Sequence, residues 1–258
     1  MRDYFDLKGQ VALVTGCSGG LGVQMARALA AAGCNIVPIA RRLEKLEEVA
    51  ASLRADFGVE ALPLRCDITS TEQVGEVVDK VMERFGRIDI LVNNAGQRGG
   101  YISNATESEY DDIMDTNAKG TFFLTQLVAK YMIENKIEGN ILNISSASSI
   151  RPATSAYHMS KWAIRGLTMG LARSLAPHGI VVNAIAPGPT ATPMLMSDDR
   201  GGDVSHPRNL LGRYALPAEI GNMAVILVSD MSRTIIGDTL FMSGGSGVIT
   251  NEDVDFNF

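Results

Sequence analysis

"VALVTGCSGGLGVQMARALAAAGCNIVPIARR", residues 11–42, is the stretch on which the fold turns. It opens on a short, continuously apolar run, the pattern of a strand buried on both faces. A glycine-rich turn, "TGCSGGLG" at 15–22, follows. Beyond it Leu21, Met25, Ala28, Leu29 and Ala32 recur at i, i+4, i+7, i+8 and i+11, one face of an amphipathic helix. A second apolar run, "NIVPIA" at 35–40, closes the stretch. Strand, helix and strand in that order build parallel sheets, because parallel neighbours need a crossover between them.

The same alternation runs outward to the end of the chain. Apolar runs return as "ALPL" (61–64), "IDILVNNAG" (88–96), "NILNISS" (140–146), "IVVNAIAPG" (180–188) and "DTLFMSGG" (238–245). Helical periods fill the gaps, as with Val74, Val77, Val78, Val81 and Phe85. No linker rich in Pro, Gly or Ser divides the chain, and no internal repeat is visible. The expectation is α/β: a single doubly wound domain of Rossmann type over residues 1–258, with a seven-stranded parallel sheet. Pro38 and Pro63 conflict with this locally, since proline lacks a ladder donor, so the second and third strands are expected to be short or distorted.

Composition narrows the function. A chain of 258 residues with 46% hydrophobic and 20% charged side chains can bury a core. Its net charge of −6 and lack of a basic run speak against nucleic acid as a partner. Cys17, Cys34 and Cys66 are odd in number and lack metal-ligand spacing, so they read as packed core thiols of a reducing compartment, with no metal site. The charged start and the absence of any long apolar run predict a soluble, cytoplasmic protein with no membrane partner.

The glycine turn carries the first chemical signal. Gly16, Gly20 and Gly22 allow a tight bend, close approach of backbone to a diphosphate, and packing of helix on strand, while the helix N-terminus offers amides and a positive dipole end. Glycine turns alone are a weak signal; placement between a strand and an amphipathic helix is what strengthens this one. At the end of the second run stand Arg41 and Arg42, after Ala40, where an acidic residue would suit an adenosine ribose and arginine a 2′-phosphate. Two solvated arginines opening a helix are the plainer alternative, though their charge is unfavourable there.

A second signal is "AYHMSKWAI", residues 156–164, which places Tyr157 four residues ahead of Lys161 and therefore on one helix face. Taken alone it fits a surface pair as well as a functional one. A phenol titrates near pH ~10. Bringing it towards neutrality takes about three units, roughly 4 kcal/mol, and a cation about 4 Å away at an effective dielectric near 20 supplies that much.

With these signals in one chain, the sequence resembles the short-chain dehydrogenases/reductases over nearly its full length. The resemblance is carried by "TGCSGGLG", "CDIT" at 66–69, "NNAG" at 93–96, "NAKG" at 117–120, "ISS" at 144–146, "YHMSK" at 157–161 and "PGPTAT" at 187–192. It implies hydride transfer between a nicotinamide cofactor and a carbonyl or secondary alcohol, with a tetrad of Asn117, Ser146, Tyr157 and Lys161. In that scheme Tyr157 moves the proton, Ser146 binds the substrate oxygen, Lys161 acidifies the phenol and binds the nicotinamide ribose, and Asn117 holds a relaying water. Ser145 is an alternative to Ser146, because adjacent strand residues face opposite ways. The implied cofactor contacts are Gly16, Ser18, Gly20, Leu21, Gly22, Arg41, Arg42, Asp67, Ile68, Asn93, Ala95, Gly96, Tyr157, Lys161, Pro187, Gly188, Thr190 and Thr192. NADP(H) is favoured by the arginine pair, with NAD(H) possible because Gly19 stands where NADPH-using members often carry a basic residue.

The substrate end is less defined. Residues 191–213, "ATPMLMSDDRGGDVSHPRNLLGR", have the polarity and glycines of a flap over the substrate, with Met194, Leu195, Met196 and Leu211 as a possible apolar underside. Arg98, Tyr101 and Arg151 suit either an anionic substrate or a solvated surface; His158 and His206 read as a helix and a flap residue. "FDLKGQVALVTG" and "ARRLEKLEE" look most like sugar-acid reductases of the gluconate 5-dehydrogenase group, with hydroxysteroid dehydrogenases and 3-oxoacyl carrier-protein reductases as alternatives. A non-catalytic cofactor-binding regulator is the alternative from another class, and the complete tetrad argues against it. The family resemblance also implies a homotetramer built on helices around 107–130 and 157–175.

Overall fold

The structure, a computed structural model, describes residues 4–193, 195–196, 203–207 and 209–246. Its strands are β1 (Val11–Thr15), β2 (Asn35–Ala40), β3 (Leu64–Arg65), β4 (Ile90–Asn93), β5 (Asn140–Ile144), β6 (Val181–Pro187) and β7 (Thr239–Met242). The helices between them are α1 (Gly20–Ala31), α2 (Leu43–Phe57), α3 (Thr71–Phe85), α4 (Glu107–Met114), α5 (Thr121–Glu134), α6 (Ala156–Leu175) and α7 (Pro217–Val228). All seven strands join one parallel sheet in the order β3-β2-β1-β4-β5-β6-β7, as the alternation of periods required.

Strand alternation distributes the core to two layers. Ala12, Val14, Ile90, Val92 and Leu142 pack with Met25, Leu29, Leu46 and Ile220 of α1, α2 and α7. Val11, Leu13, Leu91 and Ile141 turn the other way, onto Val77, Val81, Leu124 and Val128 of α3 and α5. Sequence order reverses between β1 and β4, so the loops leaving those strands diverge and open a crevice at the carboxyl edge of the sheet.

The two prolines behave differently. Pro38 lies inside a full six-residue β2, buried and in register with Val14. Ile36 and Ala40 both bond towards the β3 side, so the intervening Pro38 aims its nitrogen the same way. There the ladder is interrupted: beyond a bridge at Ile36 and Ala61, pairing resumes only at Leu64, past Pro63. The missing donor thus falls in a gap, and β2 is undistorted, contrary to expectation, while β3 shrinks to two residues.

One irregularity shapes the catalytic wall. Between α4 and α5 the helix continues as a π-helical turn, Asp115–Gly120, which winds an extra residue into the spiral. Asn117 is buried within it.

Candidate active site

A cleft of about 960 Å³ runs along the carboxyl edge of the sheet. Its floor at the β1 end is the glycine turn. Gly16 and Gly20 take positive φ of 66° and 58°, the left-handed region that L side chains avoid. A Cβ on Gly22 would lie 2.5 Å from the Gly16 carbonyl oxygen, and one on Gly16 would lie 2.9 Å from the Ala95 Cα. The turn and the loop after β4 are therefore in backbone contact. Thr15 locks them: its Oγ1 accepts from the amides of Asn94 and Ala95, both at 2.8 Å.

The N-terminus of α1 has no side-chain cap and no acid in its first turn. Its orphan amides are donors without an internal acceptor, which is the chemistry a diphosphate needs. Ser18, Gly20, Leu21, Arg41 and Arg42 line this end, and Arg42 donates to Ser18 Oγ at 3.1 Å, bringing the end of β2 over the turn. Asp67 and Ile68 form the next part of the wall, Asp67 held by accepting from the amide and hydroxyl of Thr69. Ala95, Gly96, Pro187, Gly188, Thr190 and Thr192 line the middle. These groups fit an extended dinucleotide.

Two expected contacts do not reach the cleft. Gly22 lies beneath the turn, as the spacer that lets α1 approach Gly16. Asn93, the last residue of β4, is directed by strand alternation into the α5 layer, where its amide donates to Thr125 Oγ1 and Asn143 Oδ1. Asn94 takes its place on the wall, with its amide bound to the Thr15 carbonyl at 2.8 Å. The alternation within "ILVNN" was the signal that could have found it.

At the far end α6 begins at Ala156, capped by Ser155, which accepts from the His158 amide at 3.2 Å. One turn of this helix carries both Tyr157 and Lys161 into the cleft. The Ser146 side chain lies beside the Tyr157 hydroxyl and favours its deprotonated form. Ser145 points away, donating to the Lys161 carbonyl at 3.1 Å, so of the two serines Ser146 faces the phenol. Ser148 and Ser149 form the single 3-10 turn after it, Ser148 through an amide bound to Ser146 Oγ at 3.1 Å.

Lys161 is buried and donates to the Ile144 carbonyl at 2.8 Å. Burial pulls its pKa down to about 8. The phenol moves the other way: burial raises Tyr157, opposed by the Ser146 side chain and by the charge of Arg98. Lys161 Nζ lies 5.7 Å from the phenol ring centroid and is turned to the end of β5. Among these side chains, desolvation of the phenol outweighs the charges that oppose it.

The Asn117 side chain is tied into the protein. Its amide donates to the Gln97 carbonyl and Ser160 Oγ, both at 2.9 Å, and its Oδ1 accepts from the Gln97 amide at 2.7 Å. Both amide hydrogens are committed to protein, so the side chain braces the loop after β4 against α6. Gly96 makes this possible, as a Cβ there would sit 3.3 Å from Asn117 Oδ1 and 3.6 Å from Lys161 Nζ.

Of the other residues singled out, Arg98, Arg151, Leu195 and His206 line the cleft. Tyr101 does not: it is exposed and bridges Ser155 through backbone. Leu211 is 59% exposed and forms no underside. Met194, residues 197–202, Arg208 and the C-terminal "NEDVDFNF" lie outside the described residues. The three cysteines are buried and free, with burial pushing Cys17 up to about 12 and Cys66 to about 11. Among the described residues no cluster of metal-ligating side chains occurs, and no helix is long and apolar enough to cross a membrane.

A doubly wound sheet with an uncapped glycine turn at one end of its crevice and a tyrosine beside a serine at the other defines a dinucleotide-dependent oxidoreductase. The family model for short chain dehydrogenases matches residues 10–202. The chain is 40% identical over 251 residues to the 2-dehydro-3-deoxy-D-gluconate 5-dehydrogenase of Dickeya dadantii, covering 93% of this chain and 96% of that one. It is 34% identical over 248 residues to a 3-oxoacyl acyl-carrier-protein reductase of Thermotoga maritima, covering 93% and 98%. Among solved structures, a variant of the actinorhodin polyketide ketoreductase with NADPH superposes with a TM-score of 0.86 at 34% identity, covering 92% of this chain and 97% of that one. The chain belongs to the short-chain dehydrogenase/reductase family. It is an oxidoreductase that transfers hydride between a nicotinamide cofactor and a CH–OH or carbonyl group.

Proposed function

We propose that this oxidoreductase acts on a keto-sugar acid with a preference for NADP(H), as a cytoplasmic homotetramer. The observation that carries the catalytic part is the Tyr157 hydroxyl beside Ser146 in the cleft, with Lys161 buried one helical turn behind it. The bound nicotinamide supplies or takes up the hydride. In reduction Tyr157 donates its proton to the carbonyl oxygen, and in oxidation it receives the hydroxyl proton. Its raised pKa keeps the phenol protonated at neutral pH, which suits the donor role. Ser146 donates to the same oxygen and stabilises its growing charge. Lys161 holds a dry positive charge beside the reacting groups, and Asn117 fixes the loop that carries Gly96 and Gln97.

The cofactor preference is supported by Arg42 bridging to Ser18 with Arg41 beside it. The sugar-acid reading is supported by the relative from Dickeya dadantii. Assembly is supported by exposed aromatic and methionine side chains on α4, α5 and α6, including Tyr110, Phe122, Phe123, Trp162 and Met169. The test is an absorbance screen of NADPH and NADH oxidation over keto-sugar acids, 3-oxoacyl thioesters and oxosteroids. Turnover of keto-sugar acids is expected, and confinement of activity to thioesters or steroids overturns the substrate reading. The Tyr157→Phe variant is expected to lose about 10²–10⁴-fold in kcat while still binding NADPH; retained turnover sinks the role given to the phenol.

A further inference from the structure

The loops leaving β4 and β5, which are neighbouring strands, each place one arginine on the cleft wall beside Tyr157. Arg98 follows β4, and its guanidinium carbon lies 5.8 Å from the Tyr157 ring centroid. Arg151 follows β5, and its guanidinium is steadied by the Ser246 hydroxyl at 3.0 Å, while its carbonyl accepts from Trp162 Nε1 at 2.8 Å. Both charges also act on His158, the next residue of α6, so each guanidinium lies near the start of that helix.

Neither guanidinium has a carboxylate partner among the described residues. Arg27, Arg84, Arg87, Arg213 and Arg233 each sit in an ion pair; of the arginines without one among the described residues, only Arg98 and Arg151, with Arg41 and Arg42 at the far end, line the cleft. The acids Asp112 and Asp115 line the cleft from α4 and the π-helical turn, and Asp115 is bonded to Lys119. A pair of planar cations left without an acid beside the proton donor matches the fork geometry by which arginine takes a carboxylate.

We propose that Arg98 and Arg151 form a two-point anchor for the carboxylate of the substrate, fixing which carbonyl of a keto acid lies against Tyr157 and Ser146. The anchor rests on the reading of the cleft as a hydride-transfer site, and it names the recognition element that reading lacks. Arg98 lies over the Tyr157 ring, and Arg151 is tied to the loop after β7.

Binding and turnover separate the two readings. Calorimetric titration of the NADP⁺-loaded enzyme with gluconate and with sorbitol, its uncharged counterpart, is expected to give tighter binding of gluconate by roughly 10- to 100-fold, the range for charge-assisted hydrogen bonds. Arg98→Ala and Arg151→Ala are expected to remove that advantage, and Arg98→Lys to restore part of it. Because Arg151 also holds Ser246, Ser246→Ala controls for a mere loosening of the loop and is expected to keep most of the discrimination. Gluconate binding no tighter than sorbitol in the wild type overturns the anchor, as does an advantage that survives in both arginine variants. If the advantage is present but no keto-sugar acid is turned over, the anchor stands and the proposed sugar-acid activity falls.

Discussion

The turn after β1 and the segment after β6 close over the same cleft, yet they are held by different means. The turn is interlocked backbone to backbone: Gly22 leaves no room for a methyl group against Gly16, and Thr15 Oγ1 gathers two amides of the loop after β4. The segment after β6 is tied by separate backbone bonds spread along it, such as Ala191 to Ala215 at 2.9 Å and Tyr214 to Val204 at 2.8 Å, and by side chains. Thr190 pairs with Ala215, Ser205 with Arg213, and Arg213 is fastened to α7 by Glu219 at 2.7 Å. The first arrangement cannot vary without loss, because its partners are main chain. The second relies in part on side chains, which can be exchanged one at a time, and this suits the part of the cleft that meets the substrate.

The contrast is broken most severely at Gly22. Gly22→Ala puts a methyl group 2.5 Å from the Gly16 oxygen, and overpacking of this kind costs about 1–3 kcal/mol. Thermal melts should show the loss, and fluorescence titration should show NADPH binding failing with it. A variant that binds and melts like the wild type would mean the interlock is not what shapes the turn. A middle-sized effect is expected where the turn meets the end of β2. Replacing Arg41 and Arg42 by Ala should weaken NADPH binding by roughly 10- to 100-fold, the range for lost charge-assisted contacts, and NADH binding far less. Equal losses for both cofactors would overturn the preference.

The smallest effect belongs to the looser side. Glu219 is held down to about 2 by the Arg213 hydrogen bond and the Leu216 amide, against an ordinary 4.5. A folded-state pKa below the unfolded one gives stability that is complete above the unfolded value and is lost as pH falls through the folded one. The difference in Tm between wild type and Glu219→Gln should therefore be small, constant above about pH 4.5 and gone near pH 2. A difference that persists at pH 2 would show that the contact acts by packing rather than charge. Both partners are more than one-third exposed, so solvent screens the pair.

Local pattern was enough for the sheet and for the order of its elements, because a strand buried on both faces and a helix with one apolar stripe leave different periods. It was enough for Tyr157 and Lys161, whose spacing needs only a helix. It was not enough where a residue's role depends on a partner distant in sequence. Asn93 and Asn94 differ only in the direction of the side chain at a strand end. Asn117 depends on Gln97 and Ser160, and the phenol's titration on how deeply α6 is packed. Pro38 is harmless because of a gap opened by a different proline, Pro63, 25 positions on. None of these conditions is written within a window of neighbouring residues.

The π-helical turn at Asp115–Gly120 has a consequence for how the chain can change length. A π-helical turn advances fewer degrees per residue than an α-helix, so Asp115–Gly120 takes up one extra residue while α4 and α5 keep the phase of a continuous helix. Removing a residue from this turn would leave ordinary α-helix from Glu107 to Glu134 with α4 and α5 still in phase, and Glu109 would keep the Gly100 amide it now caps at 2.8 Å. What would go is the wide turn itself, which pushes the buried Asn117 out to Gln97 and Ser160. The wall of the cleft would lose one brace of the loop that carries Gly96 and Arg98 while its helices stayed in place.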